Sequence, residues 1–420
     1  MKITSLKTRW VLDSLGNPTV EVDVYLKNGA FGRASAPNGL SVGSGEAADA
    51  KDQYSTFAGR GVSRVLNIIE HVIAPTLLNH SADNQESIDA KLISLEHSKD
   101  RQLIGSGASL AVSMAVASAA AQAAKQPLYM YLAALVANKD FTLPRPIFSL
   151  LGGGLHAQKT FDLESIMVTP LKAKDIHTAT RIGVETSLAM RQVLYNRNFA
   201  IVKASDGSYT PVAAKSNKLA LGLAAQAVLG AGYKLGEDAA LGIDFAASHY
   251  FNRGHYELKC ESKQLGKKAY YEWLVQLIKN QHINYIEDPF DQEAWEQWTK
   301  FNENYGKNLL IAGDDLIATN VKRLQLAAKQ KAANSVLIKP NQVGTLTETL
   351  QACVYAKKLG FKTIVAARAG DTNDSYLAHL AVGLGCDYLK SGAPAGGERI
   401  AKYNELLRIS ESLHSDQLKH

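Results

Sequence analysis

The sequence predicts an α/β protein in which a small N-terminal α+β domain precedes an eight-stranded α/β barrel of the TIM type. Three observations predict this fold: early runs that alternate apolar and polar residues, a helical region after them, and then short apolar strands separated by amphipathic helices. A chain of 420 residues is also too long for one small core. Leu143-Pro144-Arg145-Pro146 interrupts the helical pattern, so we place the N-terminal domain at residues 1–138 and the barrel at residues 139–420.

The first strands lie within residues 2–35, where Val20-Glu21-Val22-Asp23-Val24 is the clearest alternating run. Asn28-Gly29 separates this run from the next short strand, which is the turn chemistry of a β-hairpin. Residues 61–137 then follow a helical pattern. Within them, residues 104–124 hold no charge and are long enough to span a bilayer, but Ala, Ser and Gly dominate. We interpret this segment as a buried helix and expect no membrane contact.

The barrel is predicted from short apolar segments that recur after Pro146, with room for a helix between most of them. That rhythm is typical of a (β/α)₈ barrel. The eight candidate strands end near Val168, Val202, Asp244, Glu287, Asp314, Lys339, Ala366 and Lys390.

Composition narrows the class of protein. A chain with 46% hydrophobic and 20% charged residues has the balance of a globular protein. The net charge of +6 is spread thinly, and without a long run of Lys and Arg we expect a small anionic substrate and no nucleic-acid partner. Three cysteines without metal-type spacing, and a start without a hydrophobic signal core, favour a reduced compartment. We therefore expect the cytoplasm.

Five of the predicted strand ends carry an ionisable side chain, three of them carboxylates and two of them lysines. One such charge would merely mark a solvated strand end, but five would meet at the barrel mouth, where barrel enzymes place their chemistry. Asp244, Glu287 and Asp314 form an all-oxygen set that suits Mg²⁺. A lysine facing this set either pairs with an anionic substrate or loses its proton and acts as a base.

Six segments carry motifs that occur in this order in one known family: Arg9–Glu21, Gly152–Ala157, Ile286–Phe290, Gly313–Leu316, Leu337–Thr345 and Lys390–Pro394. Through them the chain resembles enolase over nearly its whole length. The resemblance implies dehydration of 2-phosphoglycerate to phosphoenolpyruvate and assembly as a homodimer or higher homo-oligomer. It also implies that Asp244, Glu287 and Asp314 hold one tightly bound Mg²⁺. Ser41 would bind a second Mg²⁺ that arrives with the substrate.

The same resemblance implies roles for the residues that meet the substrate. Lys339 would be the base that takes the C2 proton, and Lys390 would contact the substrate carboxylate. Arg368 would bind the phosphate, and His156 would lie on a loop that closes over the substrate. His249, His255 and His282 show no ligand spacing, and we interpret them as surface or packing residues.

Departures from the family pattern cluster at the site. Glu164 falls where glutamine is usual, Ser165 where a catalytic glutamate is usual, and Asp206 where a glutamate assists hydroxide departure. Ala367 replaces a histidine and Ala369 a phosphate-binding serine. The half of the reaction that removes the C2 proton is therefore intact, whereas the half that expels the C3 hydroxyl is altered. Glu164 could supply the missing carboxylate if a local bulge turned it toward the site, because adjacent strand residues face opposite ways.

Three functions remain open. The first is a Mg²⁺-dependent lyase, with Lys339, Asp206 and Glu164 as catalytic residues, that acts on 2-phosphoglycerate or a close analogue. The second is a specialised paralogue that forms carboxyphosphonoenolpyruvate in phosphonate biosynthesis, because smaller residues beside Arg368 leave room for a larger group than phosphate. The third is a degenerate enolase that keeps the fold and serves as a binding protein.

Overall fold

The structure, a computed structural model, describes residues 1–39, 43, 45–48, 50–52, 56–96, 103–157, 160–214, 216–414 and 417–419 of the 420-residue chain. A three-stranded antiparallel sheet with helices forms the N-terminal part, and a closed eight-stranded barrel with helices around it forms the rest. This arrangement confirms the predicted fold class. Buried apolar residues from both parts belong to one continuous core.

The N-terminal sheet consists of three strands in chain order, β1 (Ile3–Leu12), β2 (Pro18–Leu26) and β3 (Phe31–Ser35). Val20, Val22 and Val24 of β2 are buried, as the alternating pattern predicts. The predicted Asn28-Gly29 turn joins β2 to β3, and Gly29 has a φ of +86°, which glycine adopts without strain.

A buried charge lies on β2 between the two outer strands of this sheet. Asp23 is 1% exposed and accepts hydrogen bonds from Arg9 of β1 and from Arg33 of β3, the latter at 2.6 and 3.0 Å. Burial alone would raise the pKa of Asp23, but the guanidinium groups of Arg33 and Arg9 outweigh burial and hold it at about 2. Asp23 therefore ties the three strands together as a carboxylate.

The N-terminal helices are α1 (Ser63–Ile68), α2 (Ala74–Leu77), α3 (Gln85–Ser94), α4 (Ser106–Ala123) and α5 (Leu128–Leu135), with a 3₁₀ turn at Thr56–Gly59 and a π turn at Ile69–Ile73. Helix α4 is the uncharged segment, and it packs directly on the sheet. A Cβ placed on Gly32 would lie 2.2 Å from the backbone nitrogen of Ala119, so only small residues allow this approach. Among the described residues no single helix is long and apolar enough to cross a membrane, and α4 and α5 meet the criterion only together, as a pair bent by 108°.

The strands that follow the N-terminal part are β4 (Arg145–Gly152), β5 (Ser165–Pro170), β6 (Val202–Lys203), β7 (Tyr209–Thr210), β8 (Ala239–Asp244), β9 (Phe251–Asn252), β10 (His255–Leu258), β11 (Lys263–Gly266), β12 (Ile283–Glu287), β13 (Leu310–Gly313), β14 (Ser335–Ile338), β15 (Lys362–Ala366) and β16 (Tyr388–Lys390). The barrel closes in the order β4-β5-β8-β12-β13-β14-β15-β16, and β16 pairs with β4.

Helices surround the barrel and alternate with its strands from β12 onward. They are α6 (Ile176–Asn196), α7 (Asn217–Gly230), α8 (Lys267–Ile278), α9 (Trp295–Tyr305), α10 (Val321–Gln330), α11 (Leu346–Lys358), α12 (Tyr376–Gly383) and α13 (Gly397–Leu413), with 3₁₀ turns at Ala247–Tyr250, Lys259–Glu261 and Pro340–Gln342.

Two details of the predicted barrel are wrong. The strand expected near Val202 is β6, a two-residue strand that pairs only with β7 outside the ring, and the first barrel strand is instead β4. In addition, β5 runs antiparallel to both β4 and β8, so the barrel is not uniformly parallel. The described residues between β4 and β5 contain no helix, and a parallel return requires a crossover that is usually helical.

The antiparallel strand changes which residues reach the barrel mouth. Because β4 ends at the mouth with Gly152, β5 begins there, and its first residue Ser165 pairs with Asp244 at the end of β8. The residue before it, Glu164, lies at the same end of the barrel. The predicted site residues around Glu164 therefore come from the start of a strand, not from its end.

Candidate active site

Five charged side chains from the barrel strands lie at one mouth. Asp244, Glu287 and Lys390 are the last residues of β8, β12 and β16, whereas Asp314 and Lys339 directly follow β13 and β14. The three carboxylates come from strands that are neighbours in the barrel. All five side chains are nearly buried.

Each of the two lysines pairs with carboxylates of this cluster. Lys390 Nζ lies 2.9 Å from Asp244 Oδ2 and 2.5 Å from Glu287 Oε2, so one ammonium joins the ends of β8 and β12. Lys339 Nζ donates to Asp314 Oδ2, while a side-chain amide, Gln342 Nε2, donates to Asp314 Oδ1 at 2.8 Å. The structure thus brings the predicted carboxylates and both lysines together.

Negative charge exceeds positive charge at the mouth. Burial, and then the charge of Asp244, raises the pKa of Glu287 to about 7. Burial and the charge of Asp314 raise the pKa of Asp315 to about 8, and burial also raises the pKa of Asp244 in spite of Lys390. A divalent cation would supply the missing positive charge, and carboxylate oxygens are the ligands that Mg²⁺ prefers. The chemistry of the donor set therefore suits Mg²⁺, while in this structure Lys390 occupies the space between Asp244 and Glu287.

The protonation of Lys339 depends on its carboxylate partner. Burial works to lower the pKa of Lys339, but the charge of Asp314 outweighs burial, and the net pKa lies above its ordinary value. The contact with Asp314 therefore stabilises the ammonium form, and any interaction that neutralises Asp314 favours the free amine.

A second acidic group overlaps the predicted one. Carboxylate oxygens of Asp288, Asp314 and Asp315 lie within 4.8 Å of one another. The predicted set of Asp244, Glu287 and Asp314, all of them described residues, is not drawn together to that distance. Asp288 already accepts the backbone N–H groups of Asp314 at 3.0 Å and Asp315 at 2.8 Å, so it braces the loop after β13. Asp314 is common to both sets, and two alternative cation positions therefore meet at this residue.

Arg368 follows β15 and is paired inside the protein. Its Nη1 donates to Glu46 Oε2 at 2.7 Å, and both side chains are 4% exposed. Ala367 and Ala369 line the cavity on either side of it. The guanidinium group predicted to bind phosphate thus meets a carboxylate of the N-terminal part. Ser41, predicted to bind a second Mg²⁺, lies outside the described residues.

Glu164, His156 and Asp206 line the same cavity as the two lysines. His156 Nε2 lies 3.3 Å from Glu164 Oε1, and His156 Nδ1 lies 4.0 Å from Asp206 Oδ2. Asp206 Oδ1 accepts the Ser208 N–H at 3.1 Å and the Ser208 hydroxyl at 2.5 Å. Burial alone would raise the pKa of Asp206, but His156 and Ser208 outweigh it and keep this pKa below its ordinary value. Asp206 is therefore held as a carboxylate.

The bulge expected at Glu164 is not needed. Glu164 and Ser165 both line the cavity although they are adjacent, because Glu164 precedes β5 and strand alternation does not constrain it. Its N–H donates to the backbone carbonyl of Asp244. The irregularity lies on the partner strand, where the register of β4 shifts between Ser149 and Leu151.

Sequence reasoning missed His249, which was interpreted as a surface or packing residue. Its Nδ1 lies 4.0 Å from Glu164 Oε2, and it lines a wide cleft beside the site. The available signal was its position, five residues after Asp244 on a turn that leaves the same barrel mouth. Ligand spacing could not reveal it, because the partner comes from a different strand.

Arg399 is the second residue that sequence reasoning missed. It is 1% exposed and donates to the backbone carbonyls of Arg368 and Ala369, at 2.6 and 2.5 Å, and to that of Ser205 at 3.2 Å. One guanidinium group therefore fixes the segment of Arg368 against the segment that carries Asp206.

Two cavities meet at this mouth. The smaller, of about 50 Å³, lies among the charged residues and is large enough for only a few water molecules. The larger, of about 700 Å³, is lined on one side by residues among 154–157 and 160–162 and on the other by residues among 245–262, and it has the size of a small-molecule site. Among the described residues Glu164 is the one that lines both.

Two family models match the chain. One, described as enolase, N-terminal domain, matches residues 3–132. The other, described as enolase, C-terminal TIM barrel domain, matches residues 140–419. The matched segments correspond to the sheet-and-helix part and to the barrel that carries the charged mouth.

Proposed function

Because the chain belongs to the enolase family, we propose that it is a Mg²⁺-dependent carbon–oxygen lyase. The proposed reaction removes the C2 proton of 2-phosphoglycerate, or of a close analogue, and expels the C3 hydroxyl to give an enolpyruvate product. The observation that carries this proposal is the cluster of Asp244, Glu287 and Asp314 with Lys339 and Lys390 at one barrel mouth.

Asp244, Glu287 and Asp314 would hold the cation. When bound, the cation would offset the charge of these carboxylates and stabilise the negative charge that develops on the substrate carboxylate. Lys390 lies against Asp244 and Glu287, where its ammonium can pair with the substrate carboxylate. Arg368 would bind the phosphate after exchanging its contact with Glu46 for one with the substrate.

The elimination needs one base and one acid. The Lys339 amine takes the C2 proton and becomes an ammonium, and the C–H electron pair first spreads into the substrate carboxylate. From there it takes up a proton again at C2, which gives exchange, or forms the C2–C3 double bond. The C3–O bond breaks, its electron pair stays on oxygen, and the leaving hydroxyl takes a proton to depart as water. We assign delivery of that proton to Glu164, because Glu164 lines the same cavity as the two lysines and its Oε1 lies 3.3 Å from His156 Nε2.

A specialised substrate is the second candidate. Ala367 and Ala369 offer no polar side chain beside Arg368, which supports an analogue whose group at C2 differs from phosphate, as in formation of carboxyphosphonoenolpyruvate. The free volume beside Arg368 is small, however, and the larger space opens beyond Glu164. We therefore rank 2-phosphoglycerate first, and rates on both acids under identical conditions separate the two candidates.

Proton exchange in D₂O tests the proposed function. Wild-type protein with Mg²⁺ is expected to replace the C2 proton of 2-phosphoglycerate by deuterium, as NMR measures, and to form phosphoenolpyruvate. Lys339→Ala is expected to abolish both activities, and EDTA is expected to abolish them in the wild type. The matched control is Lys329→Ala, because Lys329 is an exposed lysine on α10.

Three outcomes distinguish the candidate functions and the role of Lys339. Exchange that persists in Lys339→Ala removes Lys339 from the role of base. Absence of exchange with either acid, in folded wild-type protein with Mg²⁺, favours the degenerate binding protein. Turnover of plain 2-phosphoglycerate at roughly 10 per second or more, a rate typical of efficient enzymes, excludes the specialised substrate.

A further inference from the structure

The Glu164 carboxyl group lies between two imidazole rings, one facing each of its oxygens. His156 Nε2 lies 3.3 Å from Oε1, and His249 Nδ1 lies 4.0 Å from Oε2. Oε1 is buried without a hydrogen-bond partner in the described structure. With Asp206 beyond His156, the four residues form a row in which imidazole and carboxyl groups alternate from the wide cleft to the floor of the site.

His249 lies on a turn whose backbone is fixed. The turn Ala247–Tyr250 leaves the end of β8, and the Ala247 N–H donates to the carbonyl of Asp288 at 3.1 Å. The Ser248 hydroxyl accepts the backbone N–H of Gln292 at 2.9 Å. The ring of His249 therefore projects from a turn tied to the loop after β12, and its side chain is only 23% exposed. A residue fixed in this way can hold a partner in place.

Glu164 lies between the two cavities, and a residue on the cleft side can hold its carboxyl group toward the site. Glu164 forms the partition between a cavity of about 50 Å³ and a cleft of about 700 Å³, so rotation about its side-chain torsions can carry the carboxyl group out of the site. His156 faces the carboxyl group from the site, and His249 faces it from the cleft. The two rings therefore flank the carboxyl group on opposite sides.

We propose that His249 is a positioning residue that holds the Glu164 carboxyl group toward the site while the C3 hydroxyl leaves. The inference rests on the proposed function, in which Glu164 protonates that hydroxyl. A separation of 4.0 Å exceeds a hydrogen bond, and we expect it to shorten in the substrate complex, as catalytic contacts commonly do. The contact requires a hydrogen on Nδ1, and the ring does not touch the atoms that react at C2.

Three variants of His249 separate positioning from packing. In His249→Asn the amide nitrogen falls near the position of Nδ1, in His249→Gln it falls near that of Nε2, and His249→Leu has no donor. We expect the His249→Asn variant to retain most of the wild-type elimination rate. The His249→Gln and His249→Leu variants are expected to lower kcat by roughly 10- to 100-fold with little change in KM. C2 proton exchange, which depends on Lys339, is expected to remain close to wild type in all three.

The same reaction mixture reports both rates, exchange by NMR and elimination by product formation. The matched control is His255→Asn, because His255 is an exposed histidine on β10 whose Nδ1 faces a backbone carbonyl. Equal melting temperatures of the His249→Asn and His249→Gln variants establish that folding does not cause a difference between their elimination rates.

Each other outcome overturns the inference. A wild-type elimination rate in both the Gln and the Leu variant shows that Glu164 needs no partner at this position. Equal losses of elimination rate in the Asn, Gln and Leu variants show that the His249 ring only packs. A parallel loss of C2 proton exchange shows that the whole site has moved. Absence of exchange in wild-type protein refutes the proposed function itself, and the role of His249 with it, which separates that failure from the others.

Discussion

Lys390→Met tests whether the barrel mouth lacks positive charge. Methionine keeps an unbranched side chain and removes the ammonium that lies 2.9 Å from Asp244 and 2.5 Å from Glu287. Removing one partner of a buried ion pair costs roughly 3–5 kcal/mol of stability. The carboxyl groups can avoid part of this cost by binding protons. A rise of the Glu287 pKa from 4.5 to about 7 already corresponds to roughly 3 kcal/mol against its charged form.

The sign of the pH effect follows from these raised pKa values. Without Lys390 the pKa of Glu287 rises further above its value in the unfolded chain, so the folded variant binds more protons than the unfolded one above about pH 5. The stability of the variant relative to wild type is therefore expected to fall as pH rises. The assay is urea unfolding by circular dichroism at about pH 6 and pH 8 in EDTA, and at pH 8 with Mg²⁺.

We expect Lys390→Met to lose more unfolding free energy, relative to wild type, at pH 8 than at pH 6. Mg²⁺ is expected to restore part of that stability, because the cation supplies the missing charge. Lys329→Met is the control. Equal losses at both pH values, together with no effect of Mg²⁺, would refute the reasoning, because the cost would then come from lost packing and not from uncompensated carboxylates.

Three further predictions concern other parts of the molecule. Gly152→Ala would place a Cβ 2.4 Å from Ala204 Cβ and 2.9 Å from Ser208 Oγ, so we expect roughly 1–3 kcal/mol of destabilisation in urea and slower elimination with C2 exchange retained. Asp23→Asn is expected to lose roughly 1–2 kcal/mol at pH 7, a difference that disappears as pH falls from about 4 to 2, because the wild-type carboxylate, with its pKa of about 2, is protonated there. Mg²⁺ is expected to raise the Tm of the wild type in calorimetry, and to raise it much less in Asp314→Asn.

The sequence predicted which charged residues lie at the barrel mouth, because strand ends are easy to recognise. Apolar runs that close on Asp244, Glu287 and Lys390 mark both the strand and its end, and a barrel brings all such ends to one mouth. The buried helix α4 was equally clear, since its Ala and Ser residues permit close packing on β3.

Contacts between distant segments were the part that the sequence could not supply. The direction of β5 depends on what connects it to β4, a strand that the sequence pattern did not reveal. The pairing of Arg368 with Glu46 joins residues that lie far apart in the chain. The approach of His249 to Glu164 likewise joins two distant segments, because Glu164 lies at the start of β5 and His249 follows the end of β8.

The position of the cation is the most direct test of the central claim. Crystals grown with Mn²⁺ in place of Mg²⁺ locate the ion by anomalous scattering, independently of any activity. We predict one strong peak between the carboxylates of Asp244, Glu287 and Asp314, with Lys390 displaced from at least one of its present partners. A peak held instead by Asp288, Asp314 and Asp315, or no peak at the mouth, would contradict it.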